Sequence, residues 1–245
     1  MHTIKTLLFF CICSIIVLAC TDTSNTTPNE NSNKTISGFL PVADSKIYYE
    51  ITGKGEPIVL LHGAFLDRRM WEQQVNVFSK QYQVITIDMR AHGLTTDGDS
   101  SYYMYEAVRI LLDSLHINSA VIGGMSMGAM IATDFAIAYP EYTYKLILVT
   151  PGLNGSLPDE VADSSVINAF RLLSENKNIN TIKMPVLIVS TDLDNPIIGR
   201  NVDTLLKAMP QAKHILIKNT AHMPNMEKPE EFNKAVKEFL EQKTN

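Results

Sequence analysis

The chain has 245 residues, enough for one sizeable core, with 45% hydrophobic and 19% charged residues, the balance of an ordinary globular protein. Its net charge of −5, without any long basic run, argues against a nucleic-acid partner. The three cysteines, Cys11, Cys13 and Cys20, all stand near the N-terminus, which excludes a thiol nucleophile, a disulfide or a cysteine-held metal elsewhere.

Residues 1–19 carry Lys5 near their start and continue as an apolar run from 7 to 19. Spanning a bilayer takes roughly 20 apolar residues, so this run is too short to cross and reads as the core of a signal peptide. The tetrad Val17-Leu18-Ala19-Cys20 resembles the lipobox of bacterial lipoproteins. That resemblance implies a lipidated Cys20 as first mature residue, anchored in a bacterial cell envelope. An ordinary secretory signal or a short anchor is the alternative. Residues 20–35, rich in Thr, Ser and Asn, cannot bury enough surface to fold and are expected to form a tether.

The folded domain is expected over 36–245. Residues 38–50 read as two short strands about a turn at Ala43-Asp44. Strands are then expected at 57–61, 84–87, 120–122, 146–149, 186–189 and 214–217. Helices are expected at 70–78, 103–115, 127–139, 202–209 and 229–240, and one more at 166–174. Strands alternating with helices of this length make βαβ units and a mainly parallel sheet. Functional residues then belong just after the strands, where such sheets bind ligands.

The strongest local pattern is Gly124-Met125-Ser126-Met127-Gly128, set between an apolar strand and an apolar helix. This is the strand–turn–helix of a nucleophile elbow. A sharp turn holds the serine in strained backbone, and side chains two residues to either side would collide, so glycine stands at both. The helix that follows turns its positive end towards a developing anion. Met125, Met127 and Met130 read first as core and pocket-wall packing.

With Val59-Leu60-Leu61-His62-Gly63 after one strand and Asp88-Met89-Arg90-Ala91-His92-Gly93 after the next, the chain resembles the α/β-hydrolase superfamily, specifically its small esterase-like members. Met184-Pro185-Val186-Leu187-Ile188 and Ala221-His222-Met223-Pro224 complete the match, which runs from about 39 to 240. The family usually has Gly where Ala91 and Thr191 stand here. The resemblance implies an α/β-hydrolase fold: a mostly parallel sheet, helices on both faces, and a short lid insertion at about 152–183.

A serine nucleophile needs a general base, and six histidines are available. His2 lies in the leader, His116 ends a helix and His214 lies within a strand. His62 and His92 match structural positions of the family. His222, in the loop after the last strand, matches the family's catalytic histidine. For the acid, Asp194 follows the strand where the family places it. Asp192 would do similar chemistry, but the spacing favours Asp194.

The oxyanion of a tetrahedral intermediate needs two backbone N–H donors. Met127, after the nucleophile, supplies one. The other is expected from the turn after His62-Gly63, at Ala64, with Phe65 as second choice. The Phe65 side chain is expected to line the acyl pocket, with core packing as the alternative. A short lid suggests an open pocket that tolerates varied esters.

The reading is thus a serine hydrolase of small carboxylic esters, with a catalytic triad of Ser126, Asp194 and His222. A C–C bond hydrolase of keto acids, a lactone, thioester or amide hydrolase, and a ligand-binding receptor on the same scaffold are alternatives. A dehalogenase or epoxide hydrolase is disfavoured, since those relatives carry Asp as nucleophile. No metal or dinucleotide motif is present, so no cofactor is implied.

Overall fold

Alternation inside the apolar runs sends neighbouring side chains to opposite faces of one sheet. The computed structural model describes residues 34–98, 102–153 and 178–242. The expected leader, Cys20, most of the tether and the helix at 166–174 fall outside them. No helix among the described residues is long and apolar enough to cross a membrane.

Eight strands form the sheet: β1 (Ile36–Val42), β2 (Ser45–Thr52), β3 (Glu56–Leu61), β4 (Tyr82–Ile87), β5 (Ala120–Met125), β6 (Thr143–Val149), β7 (Val186–Thr191) and β8 (Lys213–Ile217). Their order is β1-β2-β4-β3-β5-β6-β7-β8. β1, β2 and β4 pair antiparallel, and every pair from β4 to β8 is parallel. The fold is an α/β-hydrolase fold with a mostly parallel sheet, as expected.

Six α-helices are described: α1 (Glu72–Phe78), α2 (Met104–Ser114), α3 (Met127–Ala138), α4 (Pro196–Ala208), α5 (Pro224–Glu227) and α6 (Pro229–Leu240). On one face Val59, Leu61, Ile85 and Ile87 pack with residues of α2, α3 and α4. On the other, Ile58, Leu60, Val84 and Val121 pack with Trp71, Phe78 and the Phe232, Val236 and Phe239 stripe of α6. Ten consecutive residues of α3, Met127 to Ala136, are buried, so this helix is covered all round.

The expected helix at 70–78 is two elements. Asp67 caps a 3-10 turn at Arg68–Trp71, accepting the Arg69 N–H at 2.9 Å, and α1 follows. The one-turn α5 went unread because four residues carry no period.

The topology also locates a binding crevice. From β3 the chain runs outward to β4, then crosses back to β5 on the other side of β3. The carboxyl ends of β3 and β5 therefore flank the switch point where open α/β sheets bind ligands.

Candidate active site

Ser126 stands at that switch point, between β5 and α3, with φ 53 and ψ −111. Such backbone costs about 1–3 kcal/mol and persists only where the surroundings enforce it. Its N–H donates to the Val149 carbonyl at 2.9 Å, and its own carbonyl accepts from Met130 at 3.1 Å and Gly152 at 3.2 Å. The glycines are required by space. A Cβ on Gly124 would lie 2.2 Å from the Gly128 backbone, and one on Gly128 would lie 2.2 Å from the Leu61 carbonyl oxygen. The Ser126 hydroxyl does not cap α3, so it is left for the cleft.

His222 lies between β8 and α5, and its Nδ1–H donates to Asp194 Oδ2 at 2.7 Å. The Asp194 side chain is 8% exposed and the imidazole 37%, so the carboxylate is covered while the ring stays reachable. Asp194 also accepts the Asn195 N–H, at 2.7 Å. Asp192 instead accepts the Asn219 N–H at 2.6 Å and holds the loop after β8. Nδ1 being engaged by Asp194, Nε2 is the nitrogen His222 has free for the cleft.

The His222 loop is held by groups that sequence reasoning missed. Glu227 clasps it from below: its carboxylate accepts the Ala221 N–H at 2.8 Å and the Met223 N–H at 2.9 Å. The Thr150 hydroxyl donates to the His222 carbonyl at 2.9 Å. Buried Asn225 donates to the Met70 carbonyl at 3.1 Å, and Met70 Sδ in turn accepts the Gly63 N–H at 3.4 Å. Only the spacing of Glu227 to a loop histidine could have hinted at this, and it resembles any exposed helix-end glutamate.

The turn after β3 is tied at almost every polar group. His62 donates from Nδ1 to the Gly63 carbonyl at 2.8 Å and accepts the Met89 N–H at Nε2, 2.9 Å. Burial holds its pKa down at about 4, so the ring stays neutral and can do both. Leu66 N–H donates to the Gly63 carbonyl, and Phe65 N–H donates to His92 Nε2 at 3.2 Å. Ala64 N–H has no acceptor among the described residues, and Met127 N–H, first in α3, has none within its helix.

A cleft of about 150 Å³ is lined by Gly63, Ala64, Leu66, Met125, Ser126, His222 and Met223. The structure thus brings Ser126, His222 and Ala64 to one cavity, with Asp194 behind the imidazole. Phe65 is not among the lining residues: its side chain is 76% exposed and packs in no core. The Met127 and Met130 side chains of α3 are buried in the core, while Met125 forms a cleft wall. His214 bonds to Ser190 at 2.8 Å within the sheet, and His116 stands at the end of α2. Among the described residues no cluster of His, Cys, Asp or Glu could hold a metal.

A family model described as alpha/beta hydrolase fold matches residues 56–170. Over those residues the chain is similar to the α/β-hydrolase superfamily. That match contains the turn after β3 and Ser126 but stops before Asp194 and His222. The chain is 24% identical to an (E)-2-((N-methylformamido)methylene)succinate hydrolase of Acinetobacter baylyi, over 84% of this chain and 98% of that one. It is 28% identical to a 2-hydroxy-6-oxo-6-phenylhexa-2,4-dienoate hydrolase of Burkholderia cepacia, over 66% of this chain and 62% of the relative. Among solved structures, carboxylesterase CesB from Bacillus subtilis superposes with a TM-score of 0.71 at 16% identity, covering 86% of this chain and 93% of that one. This last likeness carries the fold alone. The chain is a hydrolase of the α/β-hydrolase fold; which bond it cleaves is a matter of the site.

Proposed function

We propose that this α/β-hydrolase cleaves small carboxylic esters through an acyl intermediate on Ser126. Ser126 Oγ attacks the ester carbonyl while its proton passes to His222 Nε2, and Asp194 holds the opposite ring nitrogen and balances the imidazolium. The oxyanion is met by the N–H groups of Ala64 and Met127. His222 then returns the proton to the departing alkoxide. A water, deprotonated by the same nitrogen, releases the acid and restores the serine. The observation that carries this reading is one cleft shared by Ser126, His222 and Ala64, with the Asp194 carboxylate 2.7 Å from the far side of the imidazole.

The cleft supports a neutral, short acyl group. Its described walls are Gly63, Ala64, Leu66, Met125 and Met223, with no lysine or arginine to meet a substrate carboxylate. The names of the two relatives favour a second reading, hydrolysis of C–C or amide-like bonds in dicarboxylate or keto-acid substrates. Lactones and thioesters need the same groups, and a ligand-binding receptor would keep them without turnover.

The test is a panel of nitrophenyl esters, thioesters, lactones and a dienoate keto acid, with fluorophosphonate labelling alongside. Short-chain esters should turn over fastest, and Ser126→Ala should lower kcat at least about 10⁴-fold and abolish labelling. Full activity in that variant would sink the mechanism; a wild type that is never labelled would point to the receptor.

We also propose that lipidation of Cys20 anchors the domain in the bacterial envelope through the 21–34 tether. Feeding cells an alkyne fatty acid should label the wild type and leave Cys20→Ala, now released from the membrane fraction, unlabelled.

A further inference from the structure

We infer that His92 is a positioning residue of this hydrolase: it takes the Phe65 N–H out of competition and so fixes Ala64 as the oxyanion donor. This rests on the acyl-serine reading above.

The hydrogen-bond chemistry leaves His92 one arrangement. Its Nδ1 lies 2.7 Å from the Arg90 carbonyl oxygen, which can only accept, so Nδ1 carries the proton. Its Nε2 faces the Phe65 N–H at 3.2 Å, which can only donate, so Nε2 is bare. The ring therefore joins the loop after β4 to the turn after β3 as a neutral imidazole. A second ring, His62, stands 4.9 Å away and makes the same kind of link one step earlier, from Met89 to Gly63.

The backbone is strained at one end of the His92 link and next to the other. Phe65 has φ 61 and Ala91 φ 62, the left-handed region that side chains rarely adopt. A non-glycine residue stays there only when its neighbours over-determine it. At Phe65 the described partner that does so is the His92 ring. Were that acceptor absent, the strained peptide could relax, and two adjacent N–H groups would compete for the substrate oxygen in place of one. An oxyanion hole works by being organised before charge develops, so looseness here slows chemistry more than it weakens binding.

Two variants separate this role from general packing. His92→Leu removes the acceptor; His92→Gln keeps an oxygen near the Nε2 position. In His92→Leu, kcat for the best ester of the panel should fall about 10–100-fold with KM within about twofold, and His92→Gln should recover most of the loss. Deuterium exchange at the Phe65 amide, read by NMR in a Ser126→Ala background, should quicken in His92→Leu and stay near the parental rate in His92→Gln. That readout needs no turnover, so it judges His92 even if the ester reading fails on the panel. Unchanged kcat in folded His92→Leu, equal losses in both variants, or unchanged Phe65 exchange would each overturn the inference. If His92→Leu does not fold, His92→Asn, too short to reach Phe65, takes its place with the same expected outcomes.

Discussion

The body of the sheet and its carboxyl rim obey opposite rules. In the body, Ile58, Val59, Val121, Ile122, Leu148, Leu187 and Ile188 are fully or almost fully buried, extended and apolar. At the rim, Phe65, Ala91, Ser126, Thr150 and Asn219 all have positive φ without being glycine, one each after β3, β4, β5, β6 and β8. Left-handed backbone costs roughly 1–2 kcal/mol per residue, so the rim carries strain that the body's burial must offset. Side chains also behave differently. Body residues pack against whatever apolar neighbour fills the space, whereas rim residues such as Asp194, His222, His62 and Glu227 bond to particular partners in fixed directions. A protein held together by the first region can keep the second in geometries it would not choose by itself.

The widest gap between the two should appear in turnover. Asp194→Asn keeps the shape but loses the charge that steadies the imidazolium, and kcat should drop about 10⁴-fold. Asp192→Asn retains an oxygen for the Asn219 N–H, and its turnover should stay within about threefold of the parent. Equal losses in steady-state assays of the two variants would erase the distinction between these neighbouring carboxylates.

Next in size is the contact where rim meets body. In Gly128→Ala the added methyl would press on the Leu61 and His62 carbonyls, forcing α3 away from β3. Overpacking of this kind should lower stability by about 3 kcal/mol in denaturant titration. A fully stable Gly128→Ala would mean that the elbow is looser than its geometry shows.

Acid should attack the rim through His62. Its pKa is lowered from 6.5 to about 4 by burial, so the unfolded chain binds the proton more readily than the folded one. This contribution to stability is therefore complete above pH 6.5 and is lost as pH falls towards 4. On the order of 3 kcal/mol should disappear across that window. His62→Gln should flatten this part of the curve of unfolding free energy against pH; an unaltered slope would assign acid sensitivity to other groups.

The smallest effect tests the strain itself. Ala91→Gly relieves φ 62 at a residue whose side chain is exposed. Strain relief of 1–2 kcal/mol set against glycine's extra unfolded entropy should leave a gain of up to about 1 kcal/mol, seen as a higher Tm. A lower Tm would show that the rim tolerates this backbone at no cost.

Legibility followed the same division. The last helix was read at its observed bounds, 229–240, and each parallel strand was found, though usually one to three residues short at its ends. The elbow was readable because its demands are local: two glycines, one serine, a strand before and a helix after. The rim's partnerships were not. Asp192 and Asp194 share one chemistry; spacing from β7 pointed to Asp194 as the partner of His222, but that Asp192 holds the Asn219 N–H came only from the coordinates. Phe65 was weighed as donor and pocket wall, yet its N–H is taken by a ring 27 residues away and its side chain faces solvent.

What the sequence by itself determined is the layered fold, the place of Ser126 and the set of polar residues that follow the strands. Those depend on hydrophobic period, glycine and turn chemistry, which act between near neighbours along the chain. What holds Asp192, which ring takes the Phe65 N–H and what steadies each loop were decided only in the tertiary structure. Hydrogen bonds are short and directional, so partners are chosen by ångström-scale placement of segments that lie far apart in the chain.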